Sequence, residues 1–138
     1  MTSCQDIIVN RNLTIAEINL QVSQMFAIKP SEILVVEDIP EYTLPKSTRI
    51  LCEVQYLEGD FKQMISIYFR DNSLSNSLSF EAIGRFCEFF KCTCLVSDND
   101  VNPYSRMLIK GVNNYQTVYL SPELLDEGEY TIADEKAY

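Results

Sequence analysis

Arg49 to Leu57 and Phe61 to Phe69 alternate apolar and polar residues on either side of Glu58-Gly59-Asp60. Successive side chains of a strand point to opposite faces. This period of two therefore groups Ile50, Cys52, Val54 and Tyr56 on one face, with Ile65, Ile67 and Phe69 to match. Gly59 supplies the backbone freedom that a short hairpin turn needs. A hairpin with one apolar face must bury that face against another element. The rest of the chain has to supply matching apolar stripes.

It supplies two helical ones. Thr14-Ile15-Ala16-Glu17 is a capping box, in which each side chain satisfies a backbone N–H left over at a helix start. The helix is expected to run to about Ala27, with Ile15, Ile18, Val22, Met25 and Phe26 recurring at the helical period, and Pro30 stops it. Ser79 caps a second helix over Phe80 to about Lys91, with Phe80, Ile83, Phe86, Cys87 and Phe90 facing inward. Further strands are expected at Asp6–Val9, Ile33–Val36, Thr93–Val96, Tyr104–Lys110 and Tyr115–Leu120. Ile33–Val36 is apolar throughout and reads as a strand buried on both faces. Ser121-Pro122-Glu123 opens a short helix that Gly128 ends, and Glu129–Ile132 reads as a last edge strand.

The predicted order is β-α-β-β-β-α-β-β-β with a short α-β tail. This is an α+β chain: a mostly antiparallel twisted sheet with the two main helices packed on one face. The αβββ unit occurs twice, as an internal duplication would leave it. With only four glycines and five prolines there is no linker, so residues 1–138 read as one domain.

The chain contains no histidine. That excludes Ser-His-Asp and Cys-His catalysis, His-ligated zinc and the HExxH metalloprotease site within this chain. The glycines stand at 59, 84, 111 and 128, so no phosphate-cradling loop exists. A net charge of −9 opposes phosphate backbones and anionic lipid. Tyr104, Arg106, Leu108 and Lys110 share one strand face, with Tyr115 and Tyr119 expected beside them, an arrangement able to stack bases. The acidity outweighs it, and no nucleic-acid partner is expected. No apolar run reaches the roughly 20 residues of a membrane span, and the polar N-terminus lacks a signal-peptide pattern. A cytoplasmic protein without a membrane partner is expected, with its five cysteines reduced.

Two stretches invite a metal. Asp98, Asp100 and Asn102 match the first three ligand positions of a calcium loop. Pro103 then stands where a turn-forming glycine is needed and Ile109 where the final carboxylate belongs, so the run reads as a turn whose side chains bond local backbone. Cys92 and Cys94 point the same way on a strand, and Cys87 and Cys52 lie on apolar stripes, so four thiols stand within reach of convergence. The glycine-bearing Cys-x2-Cys knuckles of structural zinc sites are missing. The thiols read as small core hydrophobes, and neither metal nor cofactor is assigned.

No residue is assigned a catalytic role. The leading expectation is a non-catalytic acidic protein-binding module, such as an inhibitor or immunity-type protein masking a basic partner. Its expected contact residues are Glu37, Asp38, Glu41, Asp98, Asp100, Glu123, Asp126 and Glu127. Phe89, which lies outside the inner stripe of its helix, joins them as an apolar contact or a site of self-association. The alternatives are a small enzyme or enzyme subunit using carboxylate or tyrosine chemistry, and a cysteine-ligated metal protein.

Overall fold

The computed structural model describes residues 3–38, 43–70, 73–74 and 78–134. The elements follow the predicted order: β1 (Ser3–Val9), α1 (Ile15–Phe26), β2 (Ile33–Val36), β3 (Ile50–Tyr56), β4 (Gln63–Phe69), α2 (Phe80–Phe90), β5 (Cys94–Val96), β6 (Ser105–Gly111), β7 (Asn114–Leu120), α3 (Pro122–Asp126) and β8 (Ile132–Asp134). The eight strands form one sheet in the order β2-β3-β4-β1-β5-β6-β7-β8. The β3–β4 hairpin has the expected register, with Ile50 opposite Phe69, Cys52 opposite Ile67 and Val54 opposite Ile65. Tyr56 ends the stripe opposite Gln63 and is exposed.

The first strand of the chain lies at the centre of the sheet. β1 pairs antiparallel with β4 over its whole length and with β5 through Ile8 and Val9. α1 and α2 pack on one face, over a core that draws Ile7 and Val9 from β1, Cys52 from β3, Phe69 from β4, Cys94 from β5 and Ile109 from β6. Phe69 is fully buried and meets Phe26 of α1 edge-on at 5.3 Å. Burying one such ring is worth roughly 1.5–3 kcal/mol. A second cluster lies on the opposite face, where Ile8, Leu95, Leu108, Val118 and Leu120 are covered by Phe61, Leu125 and Tyr130.

Local signals set the helix ends. Thr14 accepts from the Glu17 amide while Glu17 accepts from the Thr14 amide, so the capping box is complete. Such a cap contributes about 1 kcal/mol. Ser79 accepts from the Ala82 amide at α2. Both helices stop in left-handed residues that are not glycine, Ala27 and Lys91, each with φ 54°.

The mostly antiparallel sheet is as expected, but the two-sided burial expected of β2 and the bounds expected of the last strand need correction. β2 pairs with β3 in parallel, at register Ile33 to Ile50, because the connection back to β3 is far longer than a hairpin turn. It is also an edge strand, with Ile33 and Val35 buried and Leu34 and Val36 only half-buried. The second αβββ unit differs from the first at this step, since β5 pairs antiparallel with β6. The last strand begins at Ile132, three residues later than the turn signals suggest, after Gly128 with φ 85°.

α2 lies directly on the β6–β7 turn. A Cβ placed on Gly84 would stand 2.7 Å from the carbonyl carbon and oxygen of Gly111 and 2.8 Å from the Val112 nitrogen. The Val112 amide in turn donates to Glu88 of the same helix, at 2.8 Å. Helix propensity alone would reward Gly84→Ala by about 1 kcal/mol. The overlap falls on backbone, which cannot swing aside, so we expect the opposite sign: a loss of about 1–2 kcal/mol in urea unfolding. A stabilised Gly84→Ala protein would show that α2 does not sit on this turn.

Candidate functional site

The sheet face away from α1 and α2 is acidic over β3, β4 and β1. Directly opposed residues share a face, and two rows cross it. Leu34, Leu51, Tyr68 and Cys4 form one, and Val36, Glu53, Ser66 and Asp6 form the next. The apolar members are half-buried and Asp6 is exposed. Tyr68 is held above the usual phenol range, first by burial and then by the charges of Cys4, Glu53 and Asp6. The Cys4 thiol is likewise pushed up, by burial and then by the Asp6 carboxylate.

This face runs into a hollow of about 400 Å³. Ile8 and Leu95 form its floor, and Asp6, Asp98, Asp100, Arg106 and Tyr130 stand around it. The loop at its rim is built from the aspartate run. Asp98 Oδ1 accepts from the Asp100 amide (3.1 Å), Asp100 Oδ1 from the Asn102 amide (3.2 Å), and Asn102 Oδ1 from the Tyr104 amide (2.9 Å). Asp98 Oδ2 takes the Ser105 hydroxyl at 2.7 Å. Both oxygens of Asp98 are thus engaged in holding the turn, as the sequence led us to expect.

Of the expected contact residues, only Asp98 and Asp100 reach this hollow. Glu123, Asp126 and Glu127 are exposed on and just after α3, which leaves β7 at the same end of the sheet as the Asp98 loop. Glu37 and Asp38 follow β2 at the other end and the far edge, where Glu37 bonds Tyr56 and raises its phenol. Glu41 lies outside the described residues. Phe89 is 60% exposed on the helical side, beside a groove lined by Met25 and Arg85. Asp98 and Asp100 therefore lie on the opposite face from Phe89.

The grouping of aromatic and basic residues does not hold. Tyr119 is opposite Ser105 and Tyr115 opposite Ile109, so both share the odd-numbered face of β6, while Arg106, Leu108 and Lys110 occupy the other. Tyr115 stacks on Phe80 of α2 at 5.2 Å.

Three of the four thiols considered together do converge. Cys87, Cys92 and Cys94 are buried, with their sulfur atoms all within 4.8 Å of one another, and Cys87 lies 3.4 Å from Cys94. Cys52 is three strands away from β5, about 14 Å at the usual strand spacing. Within the trio the thiolate form is favoured at Cys92. Its interactions with Cys87 and then Cys94 hold it below the ordinary thiol range, against the effect of burial, with Arg11 adding positive charge. Cys94 is pushed well up, by its bonds to Cys87 and Cys92 and then by burial.

Asp6, Glu53 and Tyr68 were not among the expected contact residues. Their signal was the same alternation that revealed the core, since the polar partners of a buried stripe line the other face. Gln63 carried no signal at all. It is fully buried, and its amide pairs with both the N–H and C=O of Leu13, at 2.9 and 2.8 Å, where the β1–α1 connection passes over the sheet. No family model, curated protein or solved structure shows a significant match to the chain.

Two measurements check this geometry. Ellman's reagent should titrate one thiol of the five quickly in the native protein, Cys4, and the remainder only on unfolding. Burial also pushes Cys52 from 9.0 up to about 12. Below pH 9 that thiol is neutral in both folded and unfolded chains. From there to about pH 12 only the unfolded chain ionises, so stability is lost as pH rises. Cys52→Val should therefore gain on wild type between pH 8 and pH 11 in urea unfolding. An unchanged difference would mean that water reaches the Cys52 sulfur.

Proposed function

We propose that the protein is a non-catalytic binding module whose helix-free sheet face masks a basic protein partner, as a small inhibitor or immunity-type protein would. The observation that carries this reading is the composition of that face. Half-buried Leu34, Val36, Leu51 and Tyr68 lie among the carboxylates of Asp6 and Glu53, with Asp98 and Asp100 at the border. An apolar centre with charge around it is how protein interfaces are arranged. The net charge of −9 would speed encounter with a cationic surface and help choose the partner. The acids of α3 extend the same end of the molecule, whereas Glu37, Asp38 and Phe89 fall outside this surface. Five free thiols support a reducing compartment, and we place the protein in the cytoplasm. Among the described residues no helix is long and apolar enough to cross a membrane.

The test is capture from native lysate of the producing cell at graded salt. Wild type should retain a basic protein at low salt and release it as salt rises, because screening weakens charge pairing. The Asp6→Asn, Glu53→Gln, Asp98→Asn, Asp100→Asn variant should lose that partner. Neutralising Glu58 and Glu81, which lie off the face, should leave capture intact. Retention that ignores salt, or that survives the four-site change, rejects the reading.

A further inference from the structure

The cysteine trio has a geometry that the binding face does not use. Cys87 occupies the last turn of α2, Cys92 follows the left-handed residue that ends the helix, and Cys94 is the first residue of β5. The reversal at Lys91 brings the Cys92 amide onto the Cys87 carbonyl at 3.0 Å, which fixes the Cys92 side chain beside Cys87. Cys94 completes the triangle from the sheet. All three side chains are at most 5% exposed.

We propose that Cys87, Cys92 and Cys94 form a three-sulfur site for a single soft, thiophilic d10 cation of the zinc(II) or copper(I) kind. A metal–sulfur bond of about 2.3 Å puts the three sulfurs of a three-coordinate centre about 4 Å apart. The sulfur atoms here, all within 4.8 Å of one another, need only small side-chain rotations to meet that figure. The donor set is sulfur alone, which selects soft ions over magnesium or calcium. Among the described residues no further cysteine, aspartate or glutamate joins the cluster, so these residues offer three side-chain ligands. Arg11, whose guanidinium donates to the Phe90 carbonyl beside the site, supplies a positive charge against the anionic sulfurs. Loading exchanges thiol protons for the metal, and those protons pass to solvent. The bound ion would tie the end of α2 to the first residue of β5, and so to the centre of the sheet.

The reduced, metal-free full chain is titrated anaerobically with zinc(II), cadmium(II) and copper(I) in separate arms. The expected result is one equivalent bound in at least one arm and a rise in melting temperature on loading. X-ray absorption on that loaded protein should count three sulfurs at about 2.3 Å for zinc or copper. Cys4→Ala and Cys52→Ala should bind as wild type does, and Cys92→Ala should not. Competition with a zinc-selective and a copper(I)-selective chelator separates the two ions. Less than half an equivalent in every arm, a shell dominated by nitrogen or oxygen, or undiminished binding by a folded Cys92→Ala chain would each overturn the proposal. If Cys92→Ala does not fold, the sulfur count on wild type decides alone.

Discussion

β1 joins two halves that would otherwise be separate. It holds β2, β3 and β4 on one side and β5 to β8 on the other, and it comes first in the chain. Its contact with β4 spans some sixty residues of sequence, and that with β5 more than eighty. Neither half can bury its share of the apolar face until these pairings close. Loop-closure entropy is spent before the core returns it, which places this chain among the slower folders of its size. The same seam sets Asp6 opposite Ser66, in one row with Glu53 on the far side of β4, and carries Ile8 to the floor of the hollow.

Much of the fold was legible because it is written in short-range chemistry. The capping box at Thr14, the Ser79 cap, the stripe through Ile83, Phe86 and Phe90, and the hairpin around Gly59 each depend on residues a few positions apart. What stayed hidden depends on distant pairings. Nothing in Ile33–Val36 states that its neighbour is β3 or that the pairing is parallel. An apolar run fits a buried strand as readily as an edge strand whose outer face is half-covered. The carboxamide of Gln63 is a buried polar group that only the Leu13 backbone explains, and that backbone is fifty residues away.

The candidate sites divide in the same way. Asp98 and Asp100 were legible as turn formers, and their hydrogen bonds bear this out. The acidic face was not, because Asp6 and Glu53 meet only through β4, across a register no local pattern specifies. The cysteines fell between. Cys92 and Cys94 were recognisable as neighbours and Cys87 as inward-facing. That Cys52 stays apart follows from strand order alone.

The outer strands of the sheet span only four residues in β2 and three in β8 among the described residues. Because β8 pairs only with Tyr119 and Leu120, β7 from Asn114 to Val118 has no strand on its outer side among the described residues and leaves ladder groups there to extend. Recognition by strand addition, which reads main-chain N–H and C=O groups, has that stretch of backbone to grip. The acidic face proposed as a binding surface would instead discriminate by side chains, so a single substitution on it can change its choice without disturbing the scaffold beneath.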